Sequence, residues 1–282
     1  MRASLAGLKV FVRTFGCQMN ENDSEHIVGV LLGAGATKAD RPEDADVVVV
    51  NTCAVRRKSE EKLYSYLGRL ARHKKKRPFI LGVAGCIAQV LKADLLKKLP
   101  FVDFVAGPDN YLDLPEIVGR AAEAPTVRTE FGREWKEIGA ETTDRETPWS
   151  AFVPVMEGCD NFCAYCIVPF SRGREKFRPR PNIIEEVRAA AAAGAVEIQL
   201  LGQNANSYRD PESGLGFAGL LDAVCALPGI EWVRFITSHP KNFGDDIIRV
   251  MATNAKACPA LHLPLQSGSS RVLERMNRGY TR

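Results

Sequence analysis

DVVVVNTCAV, residues 46–55, carries four consecutive valines with no polar alternation. A strand of that composition has both faces buried, which is the signature of a parallel sheet covered by helices on either side. Working outward, further strands are expected at 8–14, 79–84 and 101–106. Amphipathic stretches at 23–32, 57–75, 89–99 and 112–122 supply the helical crossovers. Residues 1–124 therefore read as an amino-terminal parallel-sheet α/β domain. Residues 125–150 lose periodicity and gain charge and threonine, which reads as a linker. A second β/α series follows over 151–282, with strands expected at 151–156, 196–201, 232–237 and 260–265. Helices are expected at 181–193, 217–227, 245–253 and 269–276; Pro181 stands in the first turn of the first of these, and Gly194 stops it. Four strands suggest an incomplete (β/α) partial barrel, since a closed eightfold barrel takes roughly 200 or more residues.

The 282 residues are 45% hydrophobic and 26% charged, which excludes wholesale disorder and fibrous repeats. No apolar run reaches the roughly 18 residues of a membrane span, and no secretory leader opens the chain, so a cytoplasmic protein with no membrane partner is expected. The net charge of +4, from 38 basic and 34 acidic residues, permits a polyanionic partner without demanding one. Eight cysteines in a reducing compartment point to metal binding or redox chemistry rather than disulfides.

Three of them sit in GCDNFCAYC, residues 158–166, directly after an expected strand: Cys159, Cys163 and Cys166. Thiolates at spacings of four and three can hold three irons of a 4Fe–4S cube and leave the fourth without a protein ligand. Such an iron could chelate the amino and carboxylate groups of S-adenosylmethionine. Zinc and ferredoxin readings both want a fourth ligand, and His239 is the nearest histidine that follows. Inert buried thiols are the remaining alternative.

Cys17, Cys53 and Cys86 are far apart in sequence, yet each follows an expected strand. The carboxyl ends of parallel strands share one edge, so the three thiols are expected to converge there. Gly16 and Gly85, immediately before two of them, suit close approach of backbone to a bulky inorganic group. Taken singly, each cysteine could equally be a small buried apolar side chain. Cys225 and Cys258 are read as packing thiols of that kind.

The stretch VMEGCDNFCAYCIVPFSRGREKFRP resembles the radical S-adenosylmethionine superfamily, and in particular its methylthiotransferase branch. GCQMNENDSE, NTCAVRRKSEEK, GCIAQ, LLGQNANSY, TSHP and LHLPLQSGS extend the resemblance over essentially the whole chain, and favour the branch that acts on dimethylallyladenosine next to the anticodon of tRNA. The resemblance implies two 4Fe–4S clusters, one on each cysteine trio, with S-adenosylmethionine as second cofactor. The implied transferase reaction takes a radical from S-adenosylmethionine and a methylated sulfide from the auxiliary cluster on Cys17, Cys53 and Cys86. An external electron donor and a monomeric chain are expected with it. Methylthiotransferases of ribosomal protein or of threonylcarbamoyl-adenosine are the enzyme alternatives, and an iron–sulfur or zinc binding fragment is the non-enzyme one.

Within that resemblance, Gln203, Asn204, Ser238, Gln266 and Ser267 are expected to bind S-adenosylmethionine, because amides and hydroxyls at strand ends face the ligand in such folds. His239 could equally be a capping histidine. Arg172, Arg174, Lys176 and Arg178, with Arg180 and only Glu175 opposing, are expected to neutralise RNA phosphates. Arg69, Arg72, Lys74, Lys75, Lys76 and Arg77 form a second basic window, for which a solvated helix end is an equal reading. A typical family member continues past the equivalent of Arg282 with more barrel strands and a small RNA-gripping β-domain. Weak tRNA binding and an open sheet edge are therefore expected for this chain.

Overall fold

The computed structural model describes residues 4–137 and 143–282; residues 138–142 of the expected linker lie outside the described residues. The chain divides into two compact units. The first comprises Met1–Gly132, Lys136–Asp144 and Phe170–Arg172, and the second Arg133–Trp135, Arg145–Pro169 and Gly173–Arg282. Among the described residues no helix is long and apolar enough to cross a membrane.

The first unit is built on β1 (Lys9–Phe15), β2 (Thr37–Lys38), β3 (Val47–Thr52), β4 (Ile80–Gly85), β5 (Phe104–Ala106) and β6 (Thr126–Arg128). All pair in parallel, in the order β2-β1-β3-β4-β5-β6. The helices are α1 (Gln18–Gly33), α2 (Arg57–Lys74), α3 (Cys86–Leu91), α4 (Ala93–Lys98) and α5 (Leu114–Ala121). Val47 and Val49 pack with Ile27 and Leu31 of α1 and Leu114 and Ile117 of α5. Val48 and Val50 pack with Leu63 and Leu67 of α2 and with Ile87 and Leu95 on the opposite face. Side chains alternate across a strand, so an unbroken valine run fills both cores, and all four are fully buried. Each buried valine contributes about 1.5 kcal/mol or more.

Three features depart from the sequence reading. Thr126–Arg128, expected in the linker, is the sixth strand and pairs with β5. The helix expected at 89–99 is two helices, broken at Lys92, whose φ of 49° no α-helix accommodates. The helix expected from residue 23 starts at Gln18, because Asn20 and Asn22 are buried inside it rather than solvated before it.

The second unit carries the parallel sheet β11-β10-β7, from β7 (Ser150–Pro154), β10 (Glu197–Leu201) and β11 (Trp232–Phe235). Helices α7 (Arg180–Ala192), α8 (Phe217–Cys225) and α9 (Asp245–Thr253) supply Ile183, Val187, Leu220, Leu221 and Ile247 to its core. Between β7 and α7, the short strands β8 (Met156–Glu157) and β9 (Lys176–Phe177) pair antiparallel, and α6 (Val168–Ser171) lies in the chain between them. The strand expected at 260–265 does not form. Pro259 and Pro264 lack the N–H a ladder needs, Leu261 and Leu265 are exposed, and pairing beside β11 stops at Ala257. The closing helix, α10, is Ser270–Arg275.

Gly85 is held at φ +90°, and a β-carbon there would lie 2.2 Å from Asn51 Oδ1 and 2.8 Å from the Thr52 carbonyl oxygen. Gly85→Ala is expected to lower unfolding free energy by about 2 kcal/mol or more. Gly68→Ala, on exposed α2 where nothing lies within 4 Å, should be neutral or gain up to about 1 kcal/mol. Urea midpoints of the two variants check this; equal midpoints would contradict it.

Candidate metal centres

In the first unit the register places Phe15 opposite Thr52, and Thr52 opposite Gly85, so β1, β3 and β4 end on one rung. Cys17, Cys53 and Cys86 are the first residues or nearly the first beyond that rung. The strand order reverses between β1 and β3: α1 leaves over one face and α2 over the other. Such a switch point opens a crevice at the carboxyl ends of the strands, where ligands bind in open α/β sheets. Cys17 caps the start of α1 and Cys86 opens α3.

The Cys17 and Cys53 thiols are hydrogen-bonded to each other; that bond draws Cys17 down to about 6, against the opposing effect of burial. The same bond, with burial, pushes Cys53 up, and the Cys86 charge adds to it. Cys53 Sγ accepts from the Val55 N–H at 3.3 Å, and Cys86 Sγ accepts from Arg172 Nε at 3.2 Å. Cys17 Sγ lies 3.5 Å from Asn20 Oδ1.

Behind the thiols lies a buried polar network that the sequence did not announce. Asn51 donates to the Asn20 carbonyl at 2.8 Å and to Ser24 Oγ at 2.9 Å, and Ser24 accepts from Thr14 at 2.7 Å. Gly16 and Gly85 serve this network: a β-carbon on Gly16 would lie 2.5 Å from the Asn20 β-carbon, and one on Gly85 would meet Asn51. At both positions a side chain would thus collide with protein atoms of this network.

In the second unit, β8 and β9 clamp the ends of the loop that carries Cys159, Cys163 and Cys166. Gly158, at φ +77°, opens it where a β-carbon would lie 2.0 Å from the Arg174 carbonyl oxygen. Each sulfur meets an N–H: Asn161 Nδ2 to Cys159 at 3.5 Å, Arg278 Nη1 to Cys163 at 3.4 Å, and the Val168 amide to Cys166 at 3.4 Å. Burial raises both Cys159 and Cys166. Such donors suit thiolates bound to metal, whose charge they share. Among the described residues, no three Cys, His, Asp or Glu side chains close on a point that a single ion could occupy. Cysteines on a cube bind separate irons, so a cluster does not require that they close on one point.

The residues expected to bind S-adenosylmethionine divide. Asn204 Oδ1 and Ser238 Oγ are buried with no hydrogen-bond partner among the described residues, an arrangement that a polar ligand would complete. Gln203 instead accepts the Gly158 N–H at 2.6 Å and so fixes the loop. Gln266 is exposed at φ +66°, and Ser267 Oγ accepts the Ser269 N–H at 3.1 Å. His239 caps a turn by accepting the Lys241 N–H at 3.2 Å, and its Nε2 stands 3.8 Å from Cys163 Sγ. Burial, with Arg278 and Lys241, lowers it to about 4, so it is neutral at pH 7. Arg278, unnoticed in the sequence, also donates to Tyr165 Oη at 3.2 Å and the Pro264 carbonyl at 3.0 Å. Cys225 and Cys258 are buried, Cys225 in the α8 core with burial pushing it up to about 11.

The basic run departs most from expectation. Arg172 pairs with Asp23, Lys176 with Glu157 at 3.5 Å, and Arg178 with Glu186, all buried. Cations that remain charged in an interior must be paired, and these are used in that way rather than turned to phosphate. Arg174 is exposed beside Asp160 at 2.7 Å, and Arg180 is exposed. In the other window Arg69, Arg72, Lys75, Lys76 and Arg77 are exposed, with Arg77 on Asp46 and Lys74 tied to Asp103.

Residues 9–107 match the uncharacterized protein family UPF0004, and residues 153–282 match the radical SAM superfamily. The chain is 49% identical over 278 residues to a tRNA-2-methylthio-N(6)-dimethylallyladenosine synthase of Geobacter sulfurreducens. It is 46% identical over 282 residues to the synthase of that name from Thermotoga petrophila, and 43% over 275 residues to that of Dictyoglomus thermophilum. These alignments take in 97–98% of this chain and 62% of each relative, so the chain spans about 62% of their length. Among solved structures, the fold is similar to the radical S-adenosylmethionine methyltransferase TsrM of Kitasatospora setae, with tryptophan substrate and a cofactor analogue bound. The TM-score is 0.64 at 13% identity, over 98% of this chain and 63% of that one. A second structure of TsrM, with cobalamin and a 4Fe–4S cluster, matches at 0.63 over 97% of this chain and 64% of that one, again with 13% identity.

Glu186 receives both Arg145 at 2.8 Å and Arg178, and is itself buried. Glu186→Ala leaves these cations without their carboxylate and is expected to cost about 3–5 kcal/mol. Arg174→Ala, on an exposed pair, should change stability by less than about 1 kcal/mol. Thermal unfolding of both variants checks the contrast, and a stable Glu186→Ala would contradict it.

Proposed function

We propose that the chain belongs to the radical S-adenosylmethionine methylthiotransferases and inserts a methylthio group into N(6)-dimethylallyladenosine next to the anticodon of tRNA; the two family matches and the identity to the synthases support this. The observation that carries this reading is the pair of three-cysteine donor sets, each at the carboxyl side of parallel strands in its own unit. When bound, the radical cluster supplies the electron that splits S-adenosylmethionine, and the auxiliary cluster supplies the sulfur for insertion.

Cys159, Cys163 and Cys166 hold the first, with Asn161, Arg278 and the Val168 amide stabilising their thiolate charge. Asn204 and Ser238 offer their unpaired oxygens to the amino and hydroxyl groups of S-adenosylmethionine, and Gln203 keeps the loop in place for it. Cys17, Cys53 and Cys86 hold the second cluster, and the Asn20–Asn51–Ser24 network keeps the sheet edge rigid around it. Arg174 and the exposed basic end of α2 face phosphate, which makes binding salt-dependent. An external one-electron donor, a monomeric chain and a cytoplasmic setting, where thiols stay reduced, complete the proposal.

Anaerobic reconstitution with iron and sulfide is expected to load about eight irons per chain, and about four when either trio is replaced by alanine. With S-adenosylmethionine, dithionite and tRNA carrying N(6)-dimethylallyladenosine, nucleoside mass analysis should then show the methylthio adduct. About four irons in the parent would overturn the two-cluster reading, and cofactor cleavage with unmodified tRNA would overturn the substrate. Arg174→Ala should also flatten the salt dependence of tRNA affinity by about one unit of log–log slope. An unchanged slope would remove Arg174 from the RNA surface.

A further inference from the structure

We infer that Arg172 is a positioning residue for the auxiliary cluster, donating its Nε–H to the sulfur of Cys86 and thereby setting that cluster's reduction potential. The inference rests on the reading that Cys17, Cys53 and Cys86 hold a cluster. Arg172 lies six residues after Cys166 in sequence, yet Phe170–Arg172 belongs to the first unit. Its guanidinium is 2% exposed. Nη1 donates to Asp23 Oδ1 at 3.1 Å and Nη2 to Asp23 Oδ2, an end-on fork that leaves Nε for Cys86 Sγ at 3.2 Å. Asp23 is itself buried and its Oδ2 also accepts from Tyr111 Oη at 3.3 Å, so the carboxylate is held by a second partner.

A buried ion pair alone would be met by any cation. The planar fork does something a lysine cannot: it satisfies the carboxylate with two nitrogens and aims a third, fixed N–H at sulfur. Hydrogen bonds to ligand sulfur favour the more electron-rich state of an iron–sulfur cluster, so this donor raises the potential. A second-sphere donor that is buried and clamped keeps that bond through turnover. The surrounding sequence, SRGRE, reads as surface cations for RNA, and only the fold shows where this one goes.

The test isolates one cluster by replacing Cys159, Cys163 and Cys166 with alanine, reconstituting the chain anaerobically, and following the auxiliary cluster by EPR-monitored redox titration. Arg172→Lys keeps the charge and loses the Nε donor; the double change Arg172→Gln with Asp23→Asn removes the pair without leaving a lone buried charge. Both are expected to load about four irons. Both should shift the midpoint negative, so that at fixed potential the reduced-to-oxidised ratio falls about tenfold, or about 59 mV for one electron. In the unsubstituted-arginine chain grown with 15N-arginine, pulsed EPR of the reduced cluster should show a nitrogen coupling from arginine; this reading needs no variant to fold. An unmoved midpoint with iron retained, or no arginine coupling, overturns the role of Arg172 alone. No iron on the parent trio overturns the cluster reading and this inference with it.

Discussion

The common rung on which β1, β3 and β4 end is the constraint from which the first centre follows. Phe15, Thr52 and Gly85 stand side by side across three parallel strands, so the residues that follow share one edge. A slip of one residue in either pairing would turn the valines of β3 from one core to the other and carry Cys53 away from its partners. Burial of Val47 and Val49 under α1 and α5, and of Val48 and Val50 under α2 and the α3–α4 pair, fixes that register from both faces. The hydrophobic core thus sets the geometry of the sulfur-rich site at its edge, where Cys53 and Cys86 are buried.

The edge is stiffened by polar groups taken out of water. Asn20, Asn51, Ser24 and Asp23 are buried within a few residues of the cysteines, and their hydrogen bonds offset the desolvation that burial costs. The Asp23–Arg172 pair belongs to the same system. Replacing such a pair by apolar side chains would often leave stability unchanged or better, so its presence calls for a role beyond stability. The hydrogen bond to Cys86 provides one.

Much of this was legible in the sequence because it rests on pattern. Valine runs mark buried parallel strands, and cysteines that follow strands mark a shared edge; both hold here, with Cys17 and Cys53 in hydrogen-bond contact. What was not legible depends on partners distant in sequence. Asn20 and Asn22 look like a loop before the helix that starts at Asp23, because polar residues favour turns, but Asn51 and Arg172 lie 31 and 149 residues from their partners Asn20 and Asp23 in α1 and make their burial acceptable. Arg172, Lys176 and Arg178 likewise read as a phosphate-binding run, since Asp23 lies 149 residues away and Glu157 and Glu186 stand on other elements that only the fold brings to them. The stretch 260–265 looked apolar enough for a strand, yet Pro264 within it and Pro259 just before it withhold donors a ladder requires.

The gathering of Cys17, Cys53 and Cys86 around one inorganic core is most directly tested by locating iron itself. Anomalous diffraction at the iron edge, on crystals of the anaerobically reconstituted chain, should show a compact iron cluster bonded to all three of these sulfurs. Iron confined to Cys159, Cys163 and Cys166, or bonded to fewer than three of the dispersed cysteines, would contradict the account.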